Sequence, residues 1–225
     1  MNVGRTRWRW WWSAAWLAAL SACSTGYLQS QIASHASLPV HARIAVLPVA
    51  AVSRSSGEEM AGEGQIAPGA VTVITRELYD TLEQQTDFDL VARSAVDQAL
   101  AASTEPPLTP MAVQAFAGKV GADAVLRCVV TLYRERVGSH LSVSRPAAVG
   151  LDLWLSNGRD GRLLWSGQYH EVQRSLSEEV RTLPLYWKRG ARWLTAEELS
   201  GYAVTELLKT LPPVHTDADG TEKEK

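Results

Sequence analysis

Residues 117–126 read Ala-Gly-Lys-Val-Gly-Ala-Asp-Ala-Val-Leu and join the end of a helix to the start of a strand. Upstream, Thr109 and Pro110 supply an N-cap and a first-turn proline, and Gly121 stands where a left-handed C-terminal residue is expected. Downstream, residues 124–132 alternate with period two, inside a strand that we predict over 123–136. The stretch therefore predicts a helix packed on a sheet.

The same patterns extend to both sides. Further strands are predicted at 43–49 (RIAVLPV), 88–92 (FDLVA), 149–155 and 163–172, and further helices from Pro68, over 94–100 with Ser94 as a cap, and from Thr195 to Pro212. Asn157 to Gly161 is a hairpin turn, and Thr195 with Glu198 forms a capping box. The order predicts an α/β (α+β) fold, a mixed sheet of about five strands with an antiparallel meander and helices packed on it.

The amino terminus carries a secretory signal with a lipid-attachment site. Arg5, Arg7 and Arg9 precede an apolar run over 10–20, and Leu20-Ser21-Ala22-Cys23 is a lipobox. Cleavage would follow Ala22, and Cys23 would carry the covalent lipid, with no other cofactor expected. An uncleaved membrane helix is the alternative, but a run of eleven residues spans only roughly half of a ~30 Å hydrocarbon core. Ser24, in place of an aspartate, favours the outer membrane and its periplasmic face.

Four segments follow from this division. Residues 1–22 are the signal peptide, 23–42 the lipidated cysteine and a flexible tether, 43–211 a single α/β domain, and 212–225 a disordered charged tail. A tether over 24–42 would reach at most roughly 60–70 Å. The signal holds three arginines and no acidic residue, so its removal leaves 19 basic against 24 acidic residues, a net charge of −5. An acidic protein lacks the electrostatic footprint of a nucleic-acid binder.

The two cysteines have different predicted roles. Cys23 is consumed by lipid, which leaves Cys128 without an intramolecular partner. Alternation puts Cys128 on the side of Leu126 and Val130, so a buried small hydrophobe is favoured over a nucleophile or an intermolecular disulfide.

Three of these stretches together carry a resemblance to a known family. RIAVLPV at 43–49, FDLV at 88–91 followed by Arg93, and AGKVGADAVL at 117–126 resemble the TolB amino-terminal-like domain, over roughly residues 43–173. That domain recurs in lipoprotein activators of penicillin-binding proteins and in the curli-secretion lipoprotein family. The resemblance implies protein–protein work in the envelope without chemistry. Curli-type pore formers add amphipathic hairpins for a membrane barrel, and no spare hairpin is evident here.

The sequence offers little for catalysis or metal binding. The five histidines, at 35, 41, 140, 170 and 215, have no partner at metal-ligand spacing. His170 and Glu171 fall on opposite faces of a strand, and Glu197-Glu198 suits a helix N-terminus. Glu178-Glu179 suits a solvated loop. No GxSxG, P-loop or GxGxxG motif occurs.

One segment between the meander and the last helix is suited to recognition. It combines aromatic and basic side chains, which are enriched in interface hot spots. Its partner would be an acidic protein, peptidoglycan or a phospholipid headgroup; the alternative is that its tryptophans cover the sheet edge. We refer to it as the basic–aromatic segment; its members are Tyr186, Trp187, Lys188, Arg189, Arg192 and Trp193.

These observations predict an outer-membrane lipoprotein that acts as a non-enzymatic periplasmic adaptor or regulator of an envelope machine. Activation of a peptidoglycan synthase is the most concrete function that the resemblance implies. The alternative is an oligomeric component of an outer-membrane export apparatus of the curli-secretion type. A periplasmic hydrolase is a third class, which would require a converging polar cleft.

Overall fold

The structure, a computed structural model, describes residues 27–33, 36–52, 66–85, 88–103, 105–140, 142–173 and 192–215. These described residues form four helices and eleven short or long strands. The helices are α1 (Ala70–Gln85), α2 (Arg93–Ala101), α3 (Pro110–Val120) and α4 (Ala196–Leu208). The strands are β1 (Tyr27–Ile32), β2 (Leu38–Pro39), β3 (Arg43–Val46), β4 (Ala50–Ala51), β5 (Asp89–Leu90), β6 (Ala124–Arg134), β7 (Val137–Gly138), β8 (Val143–Arg145), β9 (Ala148–Asn157), β10 (Leu163–Val172) and β11 (Val214–His215).

The main sheet is mixed and has seven strands. Its order is β1-β10-β9-β6-β3-β5, and β4 also pairs with β6. Strands β6, β9 and β10 form the antiparallel meander, while β3 runs parallel to both β5 and β6. This confirms the predicted α+β fold class.

Helices cover the two faces of the sheet differently. Alternate residues of β3 point to opposite faces, so Ile44 joins the core of α1 and α4 while Ala45 joins a smaller core of α2 and α3. In β6, Leu126 belongs to the first core and Val125 to the second. None of the helices described is both long and apolar enough to cross a membrane.

Local signals set the ends of α3 and α4. The Thr109 side chain accepts a hydrogen bond from the Ala112 N–H, and Gly121 has the left-handed φ of 64°. Thr195 and Glu198 form the predicted reciprocal capping box at the start of α4. Ser94 does not cap α2: that helix begins at Arg93 after Ala92, which makes no side-chain cap, so Ser94 lies inside the first turn.

The structure corrects the predicted tether and part of the predicted tail. Within the segment 23–42, residues 27–32 form β1, which pairs antiparallel with β10 along its whole length. Residues 38–39 form β2, and Val214–His215 of the predicted tail pair with them in parallel. Long-range backbone pairing supplies the order that the local sequence does not indicate.

The loop predicted over 138–146 also contains more structure than expected. Strands β7 and β8 pair there as a short antiparallel hairpin. The strand predicted over 123–136 is shorter, at 124–134, and a register shift lies between Val130 and Leu132 where it pairs with β9. Such an irregularity turns the end of β6, so that Tyr133 joins the core of α1 and α4.

Candidate functional site

The predicted site residues divide between the described part of the chain and the rest. Ala22 and Cys23 lie outside the described residues, as do four members of the basic–aromatic segment, Tyr186, Trp187, Lys188 and Arg189. Arg192 and Trp193 are described and lie directly before α4. The structure therefore shows how the last two residues of the segment are held.

Arg192 is held from two sides. Its guanidinium donates to the Glu198 carboxylate at 2.6 Å, and its backbone carbonyl accepts a hydrogen bond from the Gln173 amide at 3.1 Å. The Gln173 side-chain oxygen in turn accepts from the Leu194 N–H at 2.9 Å. Because Gln173 is buried at the end of β10, it fixes the backbone on both sides of Trp193.

Trp193 is tied through its backbone to the end of β6 and the following loop. Its N–H donates to the His140 carbonyl at 3.0 Å, and its carbonyl accepts from the Arg136 guanidinium. Glu135 accepts from the Ala196 N–H at 3.2 Å, in the first turn of α4. These contacts give Arg192 and Trp193 a structural role, positioning the start of α4 against the sheet.

A second candidate is an open groove on the sheet face that carries α2 and α3. The groove is about 200 Å³ and lies between the loop before α3 and the β9–β10 hairpin. Leu108 and Leu163 are 58% and 47% exposed at its rim. Its other apolar lining residues are Leu47, Pro107, Pro110, Val113, Val125 and Trp154.

A cation–π pair forms the polar part of the groove. The Arg127 guanidinium carbon lies 4.1 Å from the centroid of the Trp154 ring, and the two residues are partners across β6 and β9. Sequence reasoning missed this site. Alternation does place Arg127 opposite the Leu126 side of β6, but the partner strand and its register are needed to bring Trp154 to it.

Several titratable groups are buried in the sheet. Tyr169 donates a hydrogen bond to the Glu171 carboxylate, two residues along the same face of β10. Burial raises the pKa of Tyr133, and the charges of Glu135 and Glu197 raise it further. The described residues contain no cluster of three or more histidine, cysteine, aspartate or glutamate side chains able to hold a metal ion.

His170 and Cys128 lie where the alternation placed them. His170 is exposed and Glu171 is buried, on opposite faces of β10. β10 is an interior strand of the sheet, between β1 and β9. Cys128 is a free, fully buried cysteine in the core of α1 and α4, and burial raises the pKa of its thiol to about 12.

No protein-family model matches the chain, and no curated protein matches it. Among solved structures, the PelC dodecamer from Paraburkholderia phytofirmans is 15% identical, with a TM-score of 0.49, over 84% of this chain and 99% of that one. Lipoprotein GNA1162 from Neisseria meningitidis is 18% identical, with a TM-score of 0.38, over 67% and 94%. The LpoB C-terminal domain from Escherichia coli is 22% identical, with a TM-score of 0.38, over 59% and 84%. At these identities and TM-scores the likeness transfers no function to this chain.

Proposed function

We propose that the chain is a lipid-anchored, non-enzymatic protein of the bacterial envelope that binds a protein partner at the membrane holding its lipid. The lipobox at 20–23 supports the anchor, and Ser24 supports the periplasmic face of the outer membrane. The resemblance over 43–173 supports binding without chemistry, with no cofactor other than the lipid on Cys23.

The observation that carries the proposal is the spacing between Cys23 and β1. Only residues 24–26 separate Cys23 from Tyr27, the first residue of a strand that belongs to the main sheet. Four Cα–Cα steps span at most about 15 Å. A lipid on Cys23 would therefore keep the folded domain close to the bilayer, which replaces the standoff expected from a tether over 24–42.

A membrane-proximal regulator is the first form of this function. The domain would act as an adaptor for an envelope machine, most concretely a peptidoglycan synthase. Because the anchor is short, the partner's contact region would have to come within reach of the anchored domain. Anchoring raises the local concentration of the domain for such a partner.

An oligomeric component of an outer-membrane export apparatus is the second form, and the short anchor favours it. Lipid on Cys23 would confine all copies to one layer at one height. Such confinement turns association between copies into a nearly two-dimensional event with a high effective concentration.

Fractionation of cells that express variants of the full chain tests the anchor. Cys23→Ala should move the protein from the membrane to the soluble fraction, because the acyl chains provide the membrane affinity. Cys128→Ala is the matched control, since that cysteine is buried, and it should remain with the membrane. Tight membrane association of Cys23→Ala would contradict the proposal.

A spacer variant separates the two forms. A flexible stretch of about twenty Gly and Ser residues, inserted between Cys23 and Tyr27, would lengthen the reach several-fold. Crosslinking in intact cells should capture a synthase in a small complex if the protein is a regulator, and the spacer should preserve that capture. A large homo-oligomer that the spacer weakens would support the export component.

A further inference from the structure

We propose that the outer edge of β1 binds β1 of a second copy of this chain, antiparallel, with Ser30 opposite Ser30. The two main sheets would then form one continuous sheet. The pairing is inferred from the sequence of β1 and the direction of its backbone groups. It rests on the proposed function, in which the chain binds a protein partner, and it names a second copy of the chain as the partner at this edge.

Strand β1 is an edge strand without the features that usually protect an edge. Among the residues that the structure describes, it pairs with β10 alone, and residues 28–33 are all exposed. Its sequence, YLQSQI, contains no charge and no proline, and its register with β10 is unbroken. Natural sheets normally block such edges with charges, prolines or bulges, because unpaired backbone groups recruit another strand.

The direction of the backbone groups along β1 is fixed by its pairing with β10. The Ala33 N–H donates to the Leu164 carbonyl at 2.9 Å, so the backbone of Ala33 points inward. In an antiparallel ladder the direction alternates from one residue to the next. The N–H and C=O groups of Leu28, Ser30 and Ile32 therefore point outward, away from β10.

Only one antiparallel register satisfies all of these outward groups with β1 alone. When Ser30 lies opposite Ser30, Leu28 of each copy lies opposite Ile32 of the other, and every outward N–H and C=O finds a partner. A shift of two residues in either direction leaves Leu28 or Ile32 facing a residue beyond the strand. In this register each residue with outward backbone groups lies opposite another such residue, so the pairs are hydrogen-bonded pairs.

The side chains fit the same register. Leu28 and Ile32 are 38% and 49% exposed, on the sheet face of Trp165, and each would cover its counterpart in the other copy. On the other face, Gln29 lies opposite Gln31. Apolar pairs and amide pairs directly opposite each other stabilise a sheet, and no like charges meet.

The strand is therefore complementary to itself about a two-fold axis through Ser30, which is the requirement for a closed pair of identical subunits.

Paired cysteines in the full chain, in intact membranes, test the register. We expect disulfide-linked dimers when Gln29→Cys and Gln31→Cys chains are expressed together, since directly opposite residues of a non-hydrogen-bonded pair are about 4.5 Å apart at Cα. Either variant alone should give much less dimer, because each cysteine then faces a glutamine. Cys128 adds no background, since it is buried. No dimer from the mixture, or a disulfide to a different protein, would overturn the proposal.

Charge placement gives a second, independent test. Ser30→Lys places two lysines opposite each other, and we expect a roughly tenfold or greater loss of dimer. Gln29→Lys is the matched control, because its lysine faces Gln31, and the dimer should persist. Mixing Ser30→Lys with Ser30→Glu chains should restore it. Equal dimerisation of the Ser30→Lys, Ser30→Glu and Gln29→Lys variants, each tested alone, would contradict the register.

These results are distinguishable from failure of the anchor. Cys23→Ala reports the anchor through membrane release, whereas the Gln29→Cys and Gln31→Cys pair can also be tested on a Cys23→Ala background at raised protein concentration. If the Cys23→Ala protein leaves the membrane and the disulfide between Gln29→Cys and Gln31→Cys chains still forms, both proposals are supported. Release with no disulfide at any concentration would overturn the pairing and leave the anchor in place.

Discussion

The guanidinium of Arg127 stacks on the indole of Trp154, with 4.1 Å between its central carbon and the ring centroid. The two side chains come from neighbouring strands and meet on the sheet face beside the groove lined by Leu108 and Leu163. The guanidinium itself lies over the ring, and both residues line the groove. The pair is thus both part of the fold and the most polar feature of this groove.

A double-mutant cycle measures the stacking. Arg127→Ala, Trp154→Ala and the double variant should show a coupling of about 1 kcal/mol in the free energy of unfolding, the range of partly exposed cation–π pairs. Urea unfolding provides the measurement. Trp154→Phe is the control and should retain part of the coupling, since it keeps an aromatic face. Strict additivity of the two alanine variants would show that the contact contributes nothing.

The capping box of α4 should make stability depend on acid pH. Burial alone would raise the pKa of Glu198, but hydrogen bonds from the Thr195 backbone and from Arg192 outweigh it, so the pKa lies below its ordinary value of 4.5. When a carboxyl group has a lower pKa in the folded protein than in the unfolded chain, it stabilises the fold at any pH above the unfolded-state pKa. This stability is lost as the pH falls through the folded-state pKa. Glu198→Gln should therefore flatten the dependence of Tm on pH between about pH 5 and about pH 3.

The matched control for that experiment is Glu206→Gln on the same helix. Glu206 makes an exposed ion pair with Lys209 at 2.7 Å and caps no backbone group. The Glu206→Gln substitution should leave the acid part of the curve of Tm against pH close to that of the unchanged protein. A curve for Glu198→Gln that coincides with the unchanged protein would contradict the link between Glu198 and acid stability.

The glycine inside α3 and the glycine that caps its C-terminus should respond to alanine in opposite directions. Gly118 lies inside the helix, and a Cβ there would contact nothing within 4 Å, so Gly118→Ala should stabilise by about 0.5–1 kcal/mol. Gly121 has a φ of 64°, so Gly121→Ala should cost about 1 kcal/mol through left-handed strain. Urea midpoints at constant m-value compare the two. Stabilisation by Gly121→Ala would contradict the assigned cap.

The buried thiol should be inert in the folded protein. Burial raises the pKa of Cys128 to about 12, so almost no thiolate is present near neutral pH, and the side chain is fully covered. In a Cys23→Ala background, a thiol reagent at pH 8 should label Cys128 only after denaturant is added. Rapid labelling of the folded protein would place Cys128 at an accessible position instead.

Interactions between neighbouring residues made much of the fold predictable from the sequence. The Thr109 cap, the glycine at 121, the Thr195–Glu198 box and the turn after Asn157 each depend on neighbouring residues. Such signals need no knowledge of the rest of the chain, and the structure bears them out. The capping role given to Ser94 was wrong because the N-cap of α2 is Ala92, two residues earlier, which leaves Ser94 inside the first turn.

The parts that were missed depend on distant partners. Strand β1 is half polar, and it is held in the sheet by pairing along its whole length with the distant strand β10. Strand β2 likewise needs Val214 and His215 from the other end of the domain. The groove required the register that sets Arg127 against Trp154, and no short stretch of sequence specifies that register.

The position of β10 in the chain also sets when the main sheet can be completed during synthesis. Strand β1 is synthesised early, yet the residues that complete its ladder, Trp165 to His170, follow only after most of the described domain. Contacts between such distant segments form slowly. Until β10 has been synthesised, β1 is an uncharged strand with both edges open, so the incomplete chain is the form most prone to aggregate.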